Sequence, residues 1–258
     1  ATVGALGFDD AVTAVTGVIE ANENLTLVAT IDHAANAAAV GLELPPTTEL
    51  IFGNPAIGTP LMQGSDTVGI DLPQKLLIIE DDTGAVQILW NSSDYLASRH
   101  GLVGVDEPLA TIATALSGLA AAASGNGEAI VPLPSDAASP SGDAAGLVSR
   151  QAPGTARDAA DRLVAAIEDN ENLLLAAEID HAANAASVGL DLTPTIEVIF
   201  GNPNIGTPLM QASRTIGMDL PQKMLIVENA DGVVITYNDP QYLAQRHGID
   251  AATVATQL

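Results

Sequence analysis

The stretch FGNPAIGTPLMQ, residues 52–63, returns almost unchanged as FGNPNIGTPLMQ, residues 200–211. The recurrence extends to its flanks, since IDHAANAAAVGLEL (residues 31–44) returns as IDHAANAASVGLDL (residues 179–192). A unit of about a hundred residues that occurs twice is too long for a solenoid repeat. The sequence therefore predicts two homologous domains.

The two copies also share their later motifs. GIDLPQKLLIIE (residues 69–80) returns as GMDLPQKMLIVE (residues 217–228). DYLASRHG (residues 94–101) returns as QYLAQRHG (residues 241–248), with a spacing that is shorter by one residue. Each domain thus carries its own full set of motifs.

Apolar spacing and helix caps predict the first elements of the second copy. Residues 158–169 place apolar side chains on one helical face, and residues 172–180 form a short apolar run typical of a buried strand. Residues 181–189 follow as a helix that Asp180 caps and Gly189 ends.

Turn residues predict the elements that remain. TIEVIFGN (residues 195–202) is the next strand, and Gly-Asn-Pro turns the chain before a helix that Thr207 caps and Pro208 begins. The DG dipeptide at residues 231–232 indicates a hairpin between two strands. PQYLAQRHG (residues 240–248) indicates a last short helix that ends at its glycine.

The predicted fold class is α+β, with two homologous β-α-β-α-β-α-β-β-α domains, each a sheet covered by helices. The first domain is predicted over residues 1–123, with a truncated first strand and an extra C-terminal helix. The second is predicted over residues 145–258, with GLVSRQ (residues 146–151) as its first strand. A Gly/Ser/Pro-rich linker, residues 124–144, joins them. We expect the domains to pack as a pseudo-symmetric pair, because homologous units often bury the same apolar patch isologously.

The charge of the chain restricts its partners. Thirty-two acids against eight bases give a net charge of −24. Phosphate binding needs clustered Lys and Arg, so the sequence argues against a nucleic-acid partner. So acidic a chain repels itself unless salt screens the charges, and at molar salt the screening length falls to about 3 Å. We therefore expect a protein from an extremely halophilic archaeon.

Composition and chain start bear on location. No apolar run approaches the roughly 18 residues that a membrane span needs, and the absence of cysteine excludes disulfides and thiolate metal sites. The chain begins at Ala1, which fits either a cleaved leader or a trimmed sequence. A secreted or cell-surface location is slightly favoured over the cytoplasm.

Taken together, the motifs IDH, IFGNP-IGTPLMQ, GIDLPQK and YL-RHG resemble the domain of unknown function 302 family. The resemblance covers residues 1–104 and 146–248. It implies a compact α+β domain, found alone or in tandem in archaea and bacteria, and it implies no established activity. The first copy departs from the pattern at residues 90–92, where Trp-Asn-Ser replaces the Tyr-Asn-Asp-Pro of residues 237–240.

The four histidines of the chain fall at two equivalent places, one after a predicted strand and one at a helix end. With the neighbouring arginines they could converge to bind an anion, or a metal through imidazole. The structural alternative is a first-turn histidine and a C-terminal histidine that the helix dipole stabilises. These ligand-binding candidates are His33, Arg99, His100, His181, Arg246 and His247.

A metal site is weakly indicated. The histidines lack HxH or HxxxH spacing, so carboxylates such as Glu80 or Asp71 would have to complete the ligand set. The sequence names neither a metal nor any other cofactor.

The recurrent turns and lysines supply the other candidates. Asn54 and Thr59, with their counterparts Asn202 and Thr207, could present backbone amides at a helix start to an anion, although turn formation is the commoner use of such residues. A buried lysine could clamp an anion or act as a nucleophile, or it could pair with Asp71 or Asp219. The weaker candidates are Lys75, Glu80, Lys223 and Glu228.

Three functions of different classes remain open. The preferred one is a non-enzymatic module, adapted to high salt, that binds a small anionic or polar ligand near the Gly-Asn-Pro turn. The second is a structural or self-assembling surface protein, a homo-oligomer or filament in which ATVGALG at the N-terminus or AIVPLP in the linker adds to a neighbour's sheet edge. The third is an enzyme that uses His33 and Glu80 as an acid/base pair.

Overall fold

A computed structural model of the chain describes residues 2–3, 6–124, 146–250 and 253. The predicted linker, residues 124–144, lies outside the described residues apart from Ser124, and so does its apolar stretch at residues 129–134. In the part of the chain that is described, no helix combines the length and the apolar character that crossing a bilayer requires.

The first domain alternates strands and helices, and a 3₁₀ helix at Asp66–Asp71 precedes its fourth strand. Its elements are β1 (Thr2–Val3), α1 (Phe8–Ala21), β2 (Thr26–Asp32), α2 (His33–Ala39), β3 (Thr47–Gly53), α3 (Pro55–Gly64), β4 (Gln74–Glu80), β5 (Val86–Leu89), α4 (Ser93–His100) and α5 (Asp106–Ser124).

The second domain repeats this order as far as the counterpart of α4, with its 3₁₀ helix at Arg214–Met218. Its elements are β6 (Leu147–Ala152), α6 (Ala156–Glu168), β7 (Leu174–Asp180), α7 (His181–Ser187), β8 (Thr195–Gly201), α8 (Pro203–Ala212), β9 (Gln222–Asn229), β10 (Gly232–Asn238) and α9 (Pro240–Arg246). The predicted order β-α-β-α-β-α-β-β-α is confirmed in both domains. The sequence did not indicate the two 3₁₀ helices.

Each domain builds one antiparallel five-stranded sheet, in the order β1-β5-β4-β3-β2 or β6-β10-β9-β8-β7. The N-terminal segment that could have joined a neighbour's sheet contributes Thr2 and Val3 to its own, where they pair with Ile88 and Gln87.

Caps fix the helix that follows β2 or β7. Asp180 accepts the backbone N–H of Ala183 at 2.8 Å, and Gly189 adopts a φ of 76° beyond the helix end, as predicted for α7. Asp32 and Gly41 occupy the same positions in the first domain.

The predicted start of the helix after the Gly-Asn-Pro turn is wrong. α8 begins at Pro203 instead of Pro208, and Asn202 caps it by accepting the backbone N–H of Asn204 at 2.9 Å. Proline is suited to the first helical turn, where its missing N–H leaves no gap, so Asn-Pro is the stronger start signal. Thr207 and Pro208 lie inside the helix, which forgoes one internal hydrogen bond at Pro208.

One face of each sheet buries its domain's own core. In the first domain, Leu50 and Phe52 of β3 belong to one apolar cluster with Val15 and Ile19 of α1 and with Leu116 of α5. In the second domain, α6 covers the sheet through a cluster made of Ala156, Ala159, Ala160, Ile167, Ile196, Val198, Ile226 and Val233.

The opposite faces of the two sheets meet at the domain junction. An isoleucine cluster from both domains forms one part of it, with members Ile31, Ile51, Ile179 and Ile199. Each 3₁₀ helix packs on the other domain's sheet, as in the clusters of Met218 with Leu77 and of Ile70 with Leu225.

Contacts across the junction come in reciprocal pairs. The side chain of Gln63 donates to the backbone oxygen of Asp191 at 2.7 Å, and that of Gln211 donates to the backbone oxygen of Glu43 at 2.7 Å. Equivalent residues thus exchange equivalent contacts, as they do in a twofold dimer. The predicted pseudo-symmetric pairing of the domains is confirmed.

Candidate binding cavity

A cavity of about 650 Å³ lies where the Gly-Asn-Pro turn of the first domain faces the second domain. The first domain lines it with β2, with the turn that leads into α3, and with α5. The second domain adds residues between 178 and 184, where β7 passes into α7. A volume of this size is typical of pockets for small organic molecules.

The turn at the cavity wall satisfies its own amides. Asn54 caps α3, so its side-chain oxygen accepts the N–H of Ala56 at 2.9 Å. Its backbone oxygen accepts the N–H groups of Ile57 at 3.0 Å and Gly58 at 2.9 Å, and Pro55 has no N–H to offer. The helix start therefore presents no free amide to an anion, and Asn54 has the turn-forming role.

Three residues that line the cavity each have a buried polar atom without a hydrogen-bond partner: Thr59 Oγ1, Gln74 Nε2 and His181 Nε2. The exposed fractions of these residues are 0%, 8% and 4%. Buried polar groups are nearly always paired, because an unpaired one costs about 1–3 kcal/mol. The wall of this cavity thus includes three residues with an unsatisfied polar atom.

Burial lowers the pKa of His181 to about 4; the charge of Asp180 opposes this shift and that of Lys75 adds to it. A pKa this low favours the neutral imidazole at pH 7. A neutral imidazole carries one donor and one acceptor nitrogen, so Nε2 can take either role, depending on the tautomer.

The charges on the cavity wall are negative. Among the described residues that line it there is no lysine or arginine, whereas Glu178 and Asp180 both belong to the wall. Both carboxylates are engaged, since Glu178 pairs with Arg157 at 2.6 Å and Asp180 caps α7.

The equivalent position on the other side of the junction repeats the unpaired groups. Thr207 Oγ1 and His33 Nε2 are buried without a partner. Burial lowers the pKa of His33 to about 4, although the charge of Asp32 and a hydrogen bond to the backbone of Gly217 both oppose this shift. Asn202 caps α8 as Asn54 caps α3.

The arginines and the other histidines lie in a separate buried charge cluster. Asp71 accepts from Arg99 Nη1 at 2.8 Å and lies 2.8 Å from His100 Nε2. Asp219 repeats this with Arg246 and His247, both at 2.7 Å. Burial alone would raise the pKa values of both aspartates, but their arginine and histidine partners hold them well below the ordinary value.

The charge cluster links the domains. Arg99 Nη2 donates to Asn238 Oδ1 across the junction, and Arg246 Nη2 donates to Asn91 Oδ1 in return. Asn91 falls in the loop where the first copy departs from the family pattern, yet it supplies the same acceptor as Asn238.

Two tyrosines complete this link. The guanidinium of Arg246 lies 4.0 Å from the ring centroid of Tyr95, and that of Arg99 lies 5.0 Å from the ring centroid of Tyr242. The two hydroxyl oxygens are 3.3 Å apart. Cation–π contacts of this kind strengthen when they are removed from water.

Between the sheets lie two glutamates and two lysines, all buried: Glu49, Lys75, Glu197 and Lys223. Burial raises the pKa values of Glu49 and Glu197 to about 8, against the opposing charges of Lys75 and Lys223. Burial also lowers the pKa of Lys75. The ion pair of Lys75 with Asp71 that the sequence offered is replaced by the pairing of Asp71 with Arg99 and His100, and Lys75 Nζ lies 3.4 Å from the backbone oxygen of Pro73.

The structure thus divides the predicted ligand-binding residues into three groups. Asn54, Thr59 and His181 line the cavity. His33, Asn202 and Thr207 lie at the equivalent position on the other side of the junction. Arg99, His100, Arg246 and His247 belong to the charge cluster and do not line the cavity.

The two weaker glutamate candidates, Glu80 and Glu228, take part in local structure. Glu228 accepts the backbone N–H of Ala156 at the start of α6, at 2.8 Å, and Glu80 ends β4, where it pairs with Val86. Across residues 2–3, 6–124, 146–250 and 253, no group of three or more His, Asp or Glu side chains could hold a metal ion.

Sequence reasoning missed Gln74, Glu49 and Glu197 as residues of interest. Gln74 recurs in both copies of DLPQK, and a glutamate interrupts the same apolar strand in both copies. A polar residue that recurs within a duplicated apolar run could have indicated these positions.

Fold and cavity define a tandem α+β protein with a small-molecule-sized cavity at its domain junction. The sequence matches the family described as "Domain of unknown function DUF302" over residues 1–119 and 148–258, and the chain belongs to that family. The resemblance that the motifs indicated is confirmed, while the halophilic archaeal source stays a prediction.

Relatives match over only part of their length. The chain is 44% identical over 105 residues to the fluoride-specific ion channel FluC 1 of Brucella suis biovar 1, which is 40% of this chain and 41% of the channel. The FluC 1 channel of Brucella abortus biovar 1 matches at 44% over 105 residues, which is 40% of this chain and 38% of that protein. The chain thus spans about two fifths of the curated relatives it matches.

A solved structure also resembles part of the chain. It is the crystal structure of an uncharacterized conserved DUF302 protein from Bacillus stearothermophilus, with 18% sequence identity and a TM-score of 0.39. The similarity covers 43% of this chain and 87% of that one.

Proposed function

We propose that the protein binds a small molecule, without converting it, in the cavity at the domain junction. The observation that carries the proposal is the cavity of about 650 Å³ with three unpaired polar atoms, on Thr59, Gln74 and His181. A ligand that pairs with these atoms would remove the cost of leaving them unsatisfied, which is a source of affinity and of specificity.

The ligand would contact both domains. Thr59 and Gln74 come from the first domain and His181 from the second, so binding would stabilise the docked arrangement by mass action. Thr207 and His33 form the pseudo-equivalent group but do not line this cavity, so the proposal is confined to the site at Thr59.

Binding is expected to persist in concentrated salt. The net charge of −24 favours such conditions, and contacts inside a cavity are screened far less than surface charges are. Binding should therefore be measured in both 0.1 M and 2 M KCl.

A screen of small ring compounds by ligand-observed NMR tests the proposal. Ala115 of α5 lines the cavity and is exposed, so an indole side chain in Ala115→Trp would obstruct it. Ala110 lies on the same helix, is exposed and does not line the cavity, so Ala110→Trp is the matched control.

We expect compounds that bind the wild-type chain and the Ala110→Trp variant but lose binding in the Ala115→Trp variant. If no compound shows this difference, the proposed function is wrong.

A further inference from the structure

The chemistry of the cavity wall restricts the ligand beyond its size. We infer that the ligand is an uncharged, mainly apolar molecule with a hydrogen-bond acceptor, such as a carbonyl oxygen, that accepts from two of the three groups on Thr59, Gln74 and His181. This inference rests on the proposed function.

The body of the ligand would be apolar because most of the wall is. Leu27, Phe52, Ile57, Met62 and Leu116 line the cavity from β2, β3, α3 and α5. Contact with such side chains is favourable in proportion to the apolar area that leaves water, about 25 cal/mol per Å². A fully polar molecule of the same size would lose its hydration without gaining this favourable free energy of apolar burial.

Three properties of the cavity wall disfavour an anionic ligand. The described lining residues include no lysine or arginine, and Glu178 and Asp180 would repel a negative charge. The first-turn amides of α3 are already bonded to Asn54. Burial also keeps His181 neutral, so no positive charge in the wall would compensate for the lost hydration of an anion.

A cationic ligand would meet carboxylates that already have partners. Glu178 already pairs with Arg157 at 2.6 Å, and Asp180 Oδ1 accepts the N–H of Ala183 at 2.8 Å. A cation at Glu178 would share this carboxylate with the positive charge of Arg157, which opposes its binding. An uncharged ligand needs neither carboxylate.

The unpaired atoms specify an acceptor. The amide nitrogen of Gln74 can only donate, and the hydroxyl of Thr59 can donate or accept. The neutral imidazole of His181 can donate from Nε2 in one tautomer. One ligand oxygen with two lone pairs can therefore satisfy two of the three groups.

Three probes that share a naphthalene ring separate charge from hydrogen bonding. 1-Naphthamide is uncharged and carries an acceptor, 1-naphthoate is its anionic counterpart, and 1-ethylnaphthalene has no polar group. We expect equilibrium dialysis against the full chain to show the amide binding roughly three- to tenfold more tightly than ethylnaphthalene. The naphthoate should bind on the order of a hundredfold more weakly than the amide.

Thr59→Val tests the hydroxyl, and Thr207→Val is its matched control in the other domain. Both variants remove a buried unpaired hydroxyl, so both should raise the thermal midpoint of the free protein, by about 2 °C. Thr59→Val alone should reduce the preference for the amide over ethylnaphthalene. A purely structural threonine would lower the midpoint when it is replaced.

The outcomes separate the inference from the proposed function. If the probes bind and Ala115→Trp blocks them, but the naphthoate binds as tightly as the amide, the inference fails and the binding function stands. A lower midpoint in the Thr59→Val variant, or an unchanged preference for the amide, also overturns the inference. If no small ring compound, these probes included, binds in a way that Ala115→Trp abolishes, the proposed function itself fails.

Discussion

The guanidinium of Arg99 holds Asp71 of its own domain at 2.8 Å and Asn238 of the other domain at 2.5 Å. The same side chain thus compensates a buried carboxylate and crosses the domain junction. Arg246 does the same with Asp219 and Asn91. The fold of each domain and the docking of the pair are therefore coupled through two arginines.

Replacing Arg99 by methionine should destabilise the protein by about 3–5 kcal/mol. The change leaves Asp71 buried, with His100 as the remaining ion-pair partner of its Oδ2 atom. An incompletely compensated buried charge is costly. Urea unfolding followed by circular dichroism measures the loss.

Arg157→Met is the matched control, because Arg157 forms its ion pairs with a side chain that is 45% exposed. Exposed pairs contribute about 0–1 kcal/mol, so this variant should remain close to the wild type. In the double variant Arg99→Met/Asp71→Leu the loss should be smaller than in Arg99→Met. Equal losses for Arg99→Met and Arg157→Met would contradict the role of the buried pair.

Gly69→Ala should destabilise the protein by about 1–3 kcal/mol, because overpacking a filled contact forces its neighbours apart. A Cβ at Gly69 would lie 2.8 Å from Leu225 Cδ1, on the sheet of the other domain. Scanning calorimetry of the variant gives the change in midpoint. Adding Leu225→Val should restore part of it by shortening the side chain that clashes.

Gly17→Ala is the opposing control. Gly17 lies within α1, is exposed and would have no atom within 4 Å of an added Cβ. Alanine has the higher helix propensity, so this change should stabilise the protein by about 1 kcal/mol. Equal stabilisation of the Gly69→Ala and Gly17→Ala variants would contradict the close approach of Gly69 to Leu225.

Local signals were enough to predict the order of the elements from the sequence. Asp180, Gly189 and the DG dipeptide at residues 231–232 act through backbone groups a few residues away, so the pattern contains the information. The error at Thr207 arose where two helix starts compete within six residues. Asn202-Pro203 supplies both a cap and a first-turn proline, whereas Thr207-Pro208 offers a cap that α8 does not need.

The candidate site could be predicted only in part, because its residues meet across the domain junction. The turn at Asn54 and the histidine at 181 were each visible as recurrent motifs, but the sequence assigned them to separate sites in separate domains. No local rule brings Thr59 to the cavity that His181 lines, since the duplication alone does not specify how the copies dock. The arginines illustrate the same limit, since the partners of Arg99 are Asp71 and Asn238 and not the turn.

Glu49 and Glu197 should make the protein less stable as the pH rises from about 4.5 to about 8. Burial raises the pKa values of both carboxyls to about 8, so the folded state binds protons there that the unfolded state has released. Stability falls with pH wherever the folded state binds more protons, by up to about 1.4 kcal/mol per pH unit for each carboxyl. Glu49→Gln removes one of these groups, so its stability gain over the wild type should be near zero at pH 5 and reach about 2 kcal/mol or more at pH 9.

Urea unfolding at a series of pH values measures this difference, with Glu23→Gln at an exposed position as the control. The lowered pKa of Lys75 changes stability in the opposite direction, because the unfolded state then holds the extra proton. The readout is therefore the difference between Glu49→Gln and the wild type rather than either curve alone. A difference that stays constant from pH 5 to pH 9, as expected for Glu23→Gln, would show that Glu49 does not carry a proton between the sheets.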